Sequence, residues 1–215
     1  LALEKSMAAR PRWLAFSTHA GEEEIIAAAH NILVKVLPDI LTVIVPRHPV
    51  RGLDIERRVS EAGGRSAVRS RKENVAAETG FLLADTMGEL GLFFRLTDIA
   101  FVGGSLIPHG GQNPIEPARL GCAIVHGPHM GNFLSIEREL RTAGASSVAN
   151  TAEDIAREVG NLLSNPDLRQ QRVAAARLVA DSKFGILDAV FAHLDPLLDR
   201  LSIAQSTPKS HDARA

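Results

Sequence analysis

Apolar and polar residues follow two recurring patterns along the chain. Short apolar runs end in polar or turn-forming residues, which predicts β-strands at 12–18, 41–47, 66–70, 80–85, 98–103, 123–127 and 146–149. Between most of these runs, apolar residues recur three or four positions apart, which predicts helices at 21–37, 53–63, 88–97, 113–121 and 133–143. Strands that alternate with helices form parallel β-α-β units. The pattern therefore predicts an α/β protein with a mainly parallel sheet and helices on both faces.

The carboxy-terminal part of the chain keeps the helical pattern without intervening strands. It predicts three further helices, at 151–164, 165–182 and 186–202. The polar residues 204–215 that follow are expected to be disordered. At the other end, residues 1–10 are interpreted as a linker or as the edge of a longer protein. We therefore predict one domain over residues 11–203.

The composition allows a sizeable core and shows no strong bias in charge. Of the 215 residues, 45% are hydrophobic, and the formal net charge is −1. This balance indicates no general affinity for nucleic acid or for an anionic membrane surface. Cys122 is the single cysteine, which excludes an internal disulfide and suits a reducing compartment. No apolar run approaches the roughly 20 residues of a membrane-spanning helix, so we expect a soluble protein on the cytoplasmic side.

The loops that follow the strands are the places to look for function. In parallel sheets, ligands bind outside the carboxyl ends of the strands, in the loops that lead into helices. Five such loops carry polar, glycine or proline residues: STHAGEEE (17–24), VPRHPVRG (45–52), ADTMGEL (84–90), VGGSLIPHGGQNPIE (102–116) and HGPHMGNF (126–133).

The loop after the fifth predicted strand holds two glycine pairs and the sequence Asn-Pro-Ile-Glu. Gly103 and Gly104 end the strand, where missing side chains let a ligand or another stretch of backbone come close. Asn113, Pro114 and Glu116 suit the N-cap, first and third positions of a helix, so an ordinary helix start is one interpretation. A glycine-rich approach to a helix N-terminus also makes an anion or nucleotide site. We favour the second interpretation because the first leaves the glycines unexplained.

Two other loops carry weaker signals. Arg47 follows a strand, and its guanidinium suits phosphate oxygens, although a solvated arginine is the simpler interpretation for this residue alone. Asp85 and Thr86 follow another strand and suit helix caps. Together these loops favour a binding site, because the carboxyl ends of parallel strands meet at one edge of the sheet.

Several common sites are not predicted. No G-x-G-x-x-G follows the first strand and no G-x-x-x-x-G-K-[ST] occurs, which excludes the dinucleotide and P-loop fingerprints. His109, His126 and His129 lack the spacing of a helical metal-binding pair, so we expect no metal site. Cys122 leads into a buried strand and is expected to be an inert core thiol.

Taken together, the loop sequences resemble those of a known family. VPRHP, DTMGEL and GGSLIPHGGQNPIEPA, with STHAGEEE upstream, resemble the carboxy-terminal half of the 3-deoxy-D-manno-octulosonic acid (Kdo) transferases over about residues 11–200. The resemblance implies a Rossmann-like domain, the carboxy-terminal domain of a two-domain (GT-B) glycosyltransferase. It also implies that residues 11–203 bind the nucleotide-sugar donor CMP-Kdo, from which Kdo passes to the lipid A precursor in lipopolysaccharide core biosynthesis.

The resemblance implies site residues, position by position. The donor-binding positions are Pro46 and Arg47 at the nucleotide, Met87, Gly88 and Glu89 along the cytidine pocket, and Asn113, Pro114, Ile115 and Glu116 under the ribose and phosphate. Secondary candidates in neighbouring loops are His19, Gly21, Glu22, Gly103, Gly104 and Ser105. No metal and no cofactor is implied, because Arg47 and helix N–H groups would stabilise the leaving phosphate.

The resemblance also implies a part that this chain does not contain. In the family, an amino-terminal domain carries the acceptor site, the membrane-facing surface and the glutamate assigned as general base. We therefore expect the chain alone to be inactive, and the whole enzyme to work at the cytoplasmic face of the bacterial inner membrane. Two alternatives stay open: half of a nucleotide-sugar epimerase of the same architecture, which would bind uridine, and a stand-alone nucleotide-binding module.

Overall fold

A seven-stranded sheet forms the centre of the molecule, of which the computed structural model describes residues 2–7, 10–183 and 194. The strands are β1 (Arg12–Thr18), β2 (Leu41–Pro46), β3 (Ser66–Val68), β4 (Phe81–Leu83), β5 (Ile99–Val102), β6 (Ala123–His126) and β7 (Ser146–Val148). Their order is β3-β4-β2-β1-β5-β6-β7, and every neighbouring pair is parallel. The predicted parallel sheet is confirmed, and its order reverses between β1 and β5, where ligands of such sheets bind.

Helices connect the strands and cover the sheet. The described residues form α1 (Ala2–Met7), α2 (Glu23–Leu33), α3 (Gly52–Glu61), α4 (Leu90–Leu96), α5 (Ile115–Arg119), α6 (Leu134–Thr142), α7 (Ala152–Ser164) and α8 (Pro166–Ser182). Two short 3₁₀ turns, Pro49–Arg51 and Gly131–Phe133, precede α3 and α6. Among the described residues, no helix is both long enough and apolar enough to cross a membrane.

Both faces of the sheet are buried. Because successive side chains of a strand point to opposite faces, β1 contributes Trp13 and Ala15 to one core and Leu14 and Phe16 to the other. Residues of α2, α3 and α7 complete the first core, and residues of α1, α4, α5, α6 and α8 complete the second. The strands are therefore continuously apolar because both of their faces are buried, and the helices lie on both faces as expected.

Two predicted helices are shorter in the structure. The helix predicted at 113–121 is α5, which has only five residues, because Asn113 and Pro114 still belong to the preceding loop. The helix predicted at 21–37 ends at Leu33, and a turn carries the chain to Pro38. Proline disfavours the helical conformation at the residue before it, so the helix could not have continued through Leu37.

Some predictions lie outside the described residues or stay untested. The predicted helix 186–202 and the disordered tail 204–215 fall beyond the continuous described range. The predicted linker 1–10 contains α1, and its residue Met7 is fully buried. The seven strands lie within one compact unit, Leu1–Ala180, while the domain limits at residues 11 and 203 stay predictions.

Candidate functional site

The carboxylate of Glu22 connects the two loops at the point where the strand order reverses. Its Oε2 accepts the N–H groups of His19 at 2.9 Å and Gly104 at 2.6 Å, and its Oε1 accepts those of Ser105 and Leu106 at 3.0 Å. Burial raises the pKa of the Glu22 carboxyl, and the N–H groups of Gly104, Leu106 and His19 act against that rise. Both secondary candidates, Glu22 and Ser105, are fully buried. They therefore hold the backbone of the β5–α5 loop in position from inside the protein.

The first glycine pair serves two different purposes. A Cβ on Gly103 would lie 2.3 Å from the carbonyl oxygen of Ser17, so this glycine lets β5 end against the backbone of β1. Ser17 has φ 52, at a bulge in β1. Gly104 has φ 68, and a Cβ there would lie 3.2 Å from the imidazoles of His19 and His109. At Gly103 the missing side chain lets another stretch of backbone come close. Only Gly104 lies beside side chains that could bind a ligand.

Three imidazoles gather beside Gly104, and we call His19, His48 and His109 the imidazole cluster. The ring centroids of His19 and His109 are 3.9 Å apart with an interplanar angle of 38°, and those of His19 and His48 are 6.2 Å apart at 90°. Gln112 Nε2 lies 3.2 Å from His19 Nε2. These residues come from the loops after β1, β2 and β5, which are adjacent strands.

Arg47 adds a permanent positive charge to the imidazole cluster. Its side chain is exposed and makes no hydrogen bond or ion pair with the residues that the structure describes. Burial lowers the pKa of His19 most, and His109, His48 and Arg47 lower it further, while Glu23 opposes them. A bound anion beside His19 would oppose this lowering of its pKa. The arrangement is suited to binding a phosphate or carboxylate.

Sequence reasoning missed the imidazole cluster as a unit. His48 stood inside a loop already singled out, and His109 was considered only as a metal ligand. The available signal was positional, since all three histidines follow adjacent strands of a predicted parallel sheet. Among the described residues, no three His, Cys, Asp or Glu side chains converge as a metal site requires.

The second predicted group lies in the loop between β4 and α4. Glu89 is half-buried and forms a two-pronged ion pair with Arg69, at 2.7 and 3.1 Å, which lowers the pKa of its carboxyl. Thr86 also donates its hydroxyl to Glu89. Met87 is 78% exposed, and Gly88 has φ 79 with open space around it. Glu89 therefore stabilises the loop, and Met87 and Gly88 form its accessible surface, which is available to a flat base.

The third predicted group begins α5. Asn113 Oδ1 accepts the N–H of Ile115 at 3.0 Å, and the structure shows no capping bond from Glu116 to the Asn113 N–H. Glu116 is exposed, and its Oε1 lies 3.8 Å from the position of a Cβ on Gly91 in α4. Pro114 is buried beneath the helix start. The carboxylate of Glu116 is therefore left accessible beside α4, as a ligand-binding role requires.

The remaining candidates support these groups. Pro46 is buried at the end of β2 and brings Arg47 to the sheet edge, where the Arg47 N–H donates to Thr18 O at 3.0 Å. Gly21 has φ 96, which turns the chain into α2. Cys122 is fully buried, and burial raises the pKa of its thiol to about 12, which fits the predicted inert thiol.

Comparisons with known proteins agree with this geometry. No family model matches the chain. The chain is 38% identical over 192 residues to the 3-deoxy-D-manno-octulosonic acid transferase of Haemophilus influenzae, a match that covers 89% of the chain and 45% of that relative. A solved structure, the C-terminal CMP-Kdo binding domain of WaaA from Acinetobacter baumannii, has 33% identity and a TM-score of 0.78. That match covers 82% of the chain and 93% of the solved domain. The chain belongs to the Kdo transferase family.

Membership of the Kdo transferase family confirms the resemblance seen in the loops. Its curated relatives are glycosyltransferases, and the chain spans less than half of their length. The C-terminal domain of a group 1 glycosyl transferase (LpcC) from Francisella tularensis shares the fold, with a TM-score of 0.56 at 17% identity over 85% of the chain and 92% of that domain. The predicted fold, the carboxy-terminal domain of a GT-B glycosyltransferase, is therefore confirmed.

Proposed function

We propose that this chain is the donor-binding half of a Kdo transferase and that its ligand is CMP-Kdo. The observation that carries the proposal is the gathering of Arg47 and the imidazole cluster beside Gly104, where the strand order reverses. A guanidinium with imidazole rings beside it at this edge suits the phosphate of a nucleotide sugar. The similarity to a CMP-Kdo binding domain, along 93% of that domain, supports the choice of nucleotide.

Within this proposal each group of residues has a role. Arg47 and the imidazole cluster bind the donor phosphate, and the exposed surface of Met87 and Gly88 receives the cytosine. The carboxylate of Glu116 accepts hydrogen bonds from the ribose hydroxyls. As CMP leaves, negative charge develops on the phosphate, and Arg47 stabilises it. No metal or cofactor is assigned a part in this scheme.

We place the acceptor chemistry in the part of the relatives that the chain does not match. A hydroxyl of the lipid A precursor would attack the anomeric carbon of Kdo, CMP would leave with its bonding electrons, and the configuration would invert. A carboxylate of the amino-terminal domain would take the hydroxyl proton. The membrane contact at the cytoplasmic face of the bacterial inner membrane, and the role in lipopolysaccharide core synthesis, would also need that domain. The purified chain should therefore show no transfer from CMP-Kdo.

Calorimetric titration with CMP, UMP and cytidine tests the donor assignment. CMP should bind more tightly than UMP, whereas an epimerase half would prefer UMP. Arg47→Ala should weaken CMP about 10- to 100-fold and leave cytidine unchanged, since a charge-assisted phosphate contact contributes about 1.5–3 kcal/mol. Arg57→Ala is the matched control, because Arg57 is exposed on α3 and paired with Asp54 at 2.8 Å. Equal losses of CMP and cytidine affinity would remove Arg47 from the phosphate site.

A further inference from the structure

The second glycine pair, Gly110 and Gly111, brings the end of the β5–α5 loop back beside its start. Both glycines have a left-handed backbone, with φ 102 and φ 74, and the N–H of Gly111 donates to Gly104 O at 2.8 Å. A Cβ on Gly111 would overlap the Sδ atom of Met130, so the packing against the loop after β6 also requires a glycine here. The pair therefore decides where the next residue, Gln112, is held.

The half-buried side chain of Gln112 reaches one ring nitrogen of His19. Its Nε2 lies 3.2 Å from Nε2 of the imidazole. A Cβ on Gly104 would lie 3.2 Å from Cδ2 and 3.5 Å from Nε2 of the same ring, so this edge of the ring faces the β5–α5 loop. Nδ1 lies on the opposite edge and forms no hydrogen bond with any residue that the structure describes. Nδ1 is therefore the ring nitrogen that is left for a ligand.

The hydrogen bond from Gln112 decides which nitrogen of a neutral His19 ring carries the proton. A carboxamide nitrogen only donates, so Nε2 accepts with its lone pair and the proton of the neutral ring lies on Nδ1. Burial lowers the pKa of His19, so the ring is neutral at pH 7 and has a single N–H to offer. With the proton on Nε2 instead, Nδ1 would present a lone pair, which repels an anion. The tautomer therefore decides whether His19 can donate to a phosphate.

We propose that Gln112 is a positioning residue, whose side chain holds His19 in the tautomer that donates from Nδ1 to the phosphate of the donor. The inference rests on the proposed function, since CMP supplies that phosphate. The ring of His109, 3.9 Å from that of His19 between centroids, packs against its face, and the hydrogen bond from Gln112 sets its proton. In this role Gln112 acts through His19 and needs no contact of its own with the nucleotide.

Nitrogen–proton correlation spectra of the imidazole rings test the tautomer without any ligand. At pH 7, His19 of the parent chain, identified by its absence from His19→Gln, should carry its proton on Nδ1. In Gln112→Met, whose side chain has a similar length but cannot donate, the proton should move in part to Nε2. Gln170→Met is the matched control, because Gln170 is exposed on α8, and it should leave the tautomer unchanged. A proton on Nε2 in the parent, or an unchanged tautomer in Gln112→Met, would show that the proposal is wrong.

Calorimetry with CMP across a range of pH separates this role from simple packing. At pH 8, Gln112→Met should bind CMP about three- to tenfold more weakly than the parent, and cytidine, which has no phosphate, equally well. As the pH falls to 5, His19 gains a second proton and both of its nitrogens donate, so the ratio of the two CMP affinities should approach one. The other charged and titratable groups around the ring occur in both chains and cancel in this ratio; they are His48 and Arg47 after β2, Glu22 and Glu23 at the start of α2, and His109.

A ratio of affinities that stays constant between pH 8 and pH 5 would mean that Gln112 only packs against the ring, and the proposal would be wrong. If the parent chain binds no CMP, the proposed function is refuted instead. The ring spectra, which need no nucleotide, still decide in that case whether Gln112 sets the tautomer of His19.

Discussion

The side chain of Glu22 and the backbone of Gly104, 82 residues apart in the chain, are joined by a hydrogen bond of 2.6 Å. The same carboxylate accepts three further N–H groups, so that each of its oxygens accepts two. Glu22→Gln keeps the shape of the side chain but replaces one oxygen with a donor, so two backbone N–H groups lose their acceptor. We expect the free energy of unfolding to fall by about 2–4 kcal/mol, measured by urea denaturation.

Glu24→Gln is the matched control for this change. Glu24 lies two residues further along, is exposed and pairs with Arg58 at the surface. Exposed pairs contribute little, so the control should lose less than about 1 kcal/mol. If the two variants were equally stable, Glu22 would not hold the β5–α5 loop in place.

The fate of these glutamates shows what the sequence could and could not reveal. The acidic run at residues 22–24 predicted that a helix starts here, because carboxylates are favoured at a helix N-terminus, and α2 begins at Glu23, two residues after the predicted start. The reach of Glu22 to Gly104 could not be predicted, since it depends on how closely β1 and β5 approach. Glu23 is likewise buried and pairs at 2.7 Å with Arg51, which lies 28 residues away in the 3₁₀ turn before α3.

The site was predictable to the extent that topology alone decides it. Alternating elements predicted a parallel sheet, and a parallel sheet predicts which loops converge, so the loops after β1, β2 and β5 were identified from sequence. The stacking of His19 on His109 could not be identified from the sequence, because it depends on the left-handed turn at Gly104. The sequence suggests a capping box between Asn113 and Glu116. The structure does not contain it, because the helix begins later than the motif suggests.

Gly103 should tolerate no side chain. A Cβ at this position would lie 2.3 Å from Ser17 O and 2.5 Å from Phe16 O, and backbone atoms cannot rotate away. Gly103→Ala should therefore lower the free energy of unfolding by about 3 kcal/mol or prevent folding. Gly131→Ala is the control, since a Cβ there meets nothing within 4 Å, and it should change stability by less than about 0.5 kcal/mol. A stable, fully folded Gly103→Ala chain would contradict the close approach of β5 to β1.

His30 should make the protein sensitive to acid. Burial, assisted by the charge of Arg10, lowers the pKa of His30 from 6.5 to about 4, and its ring bonds to Thr42 at 2.9 Å. The unfolded chain takes up a proton near pH 6.5 and the folded chain does not. The His30 contribution is therefore complete above pH 6.5 and is lost as the pH falls from about 6.5 to about 4. The full loss is about 3 kcal/mol.

Urea denaturation at pH 7 and pH 4 measures this contribution against His30→Gln, which has no titrating ring. His19 and His126, whose pKa values are also lowered, titrate in both chains and cancel. Between the two pH values, the parent should lose about 3 kcal/mol more than the variant. If parent and variant lost the same free energy of unfolding, the pKa of His30 would be the same in the folded and the unfolded chain.

A substitution at Glu116 distinguishes a structural role of this residue from a ligand-binding role. Its carboxylate makes no hydrogen bond or ion pair with any residue that the structure describes and stands exposed beside α4. Glu116→Gln should therefore leave the free energy of unfolding within about 0.5 kcal/mol of the parent. If the carboxylate binds the ribose, CMP should bind about tenfold more weakly to the variant, because a charge-assisted acceptor is lost. The affinity for 2′,3′-dideoxy-CMP, which lacks both hydroxyls, should be the same for the two chains. A variant that binds CMP as tightly as the parent would remove Glu116 from the ribose site and leave Met87, Gly88 and Arg47 as the residues that hold the nucleotide.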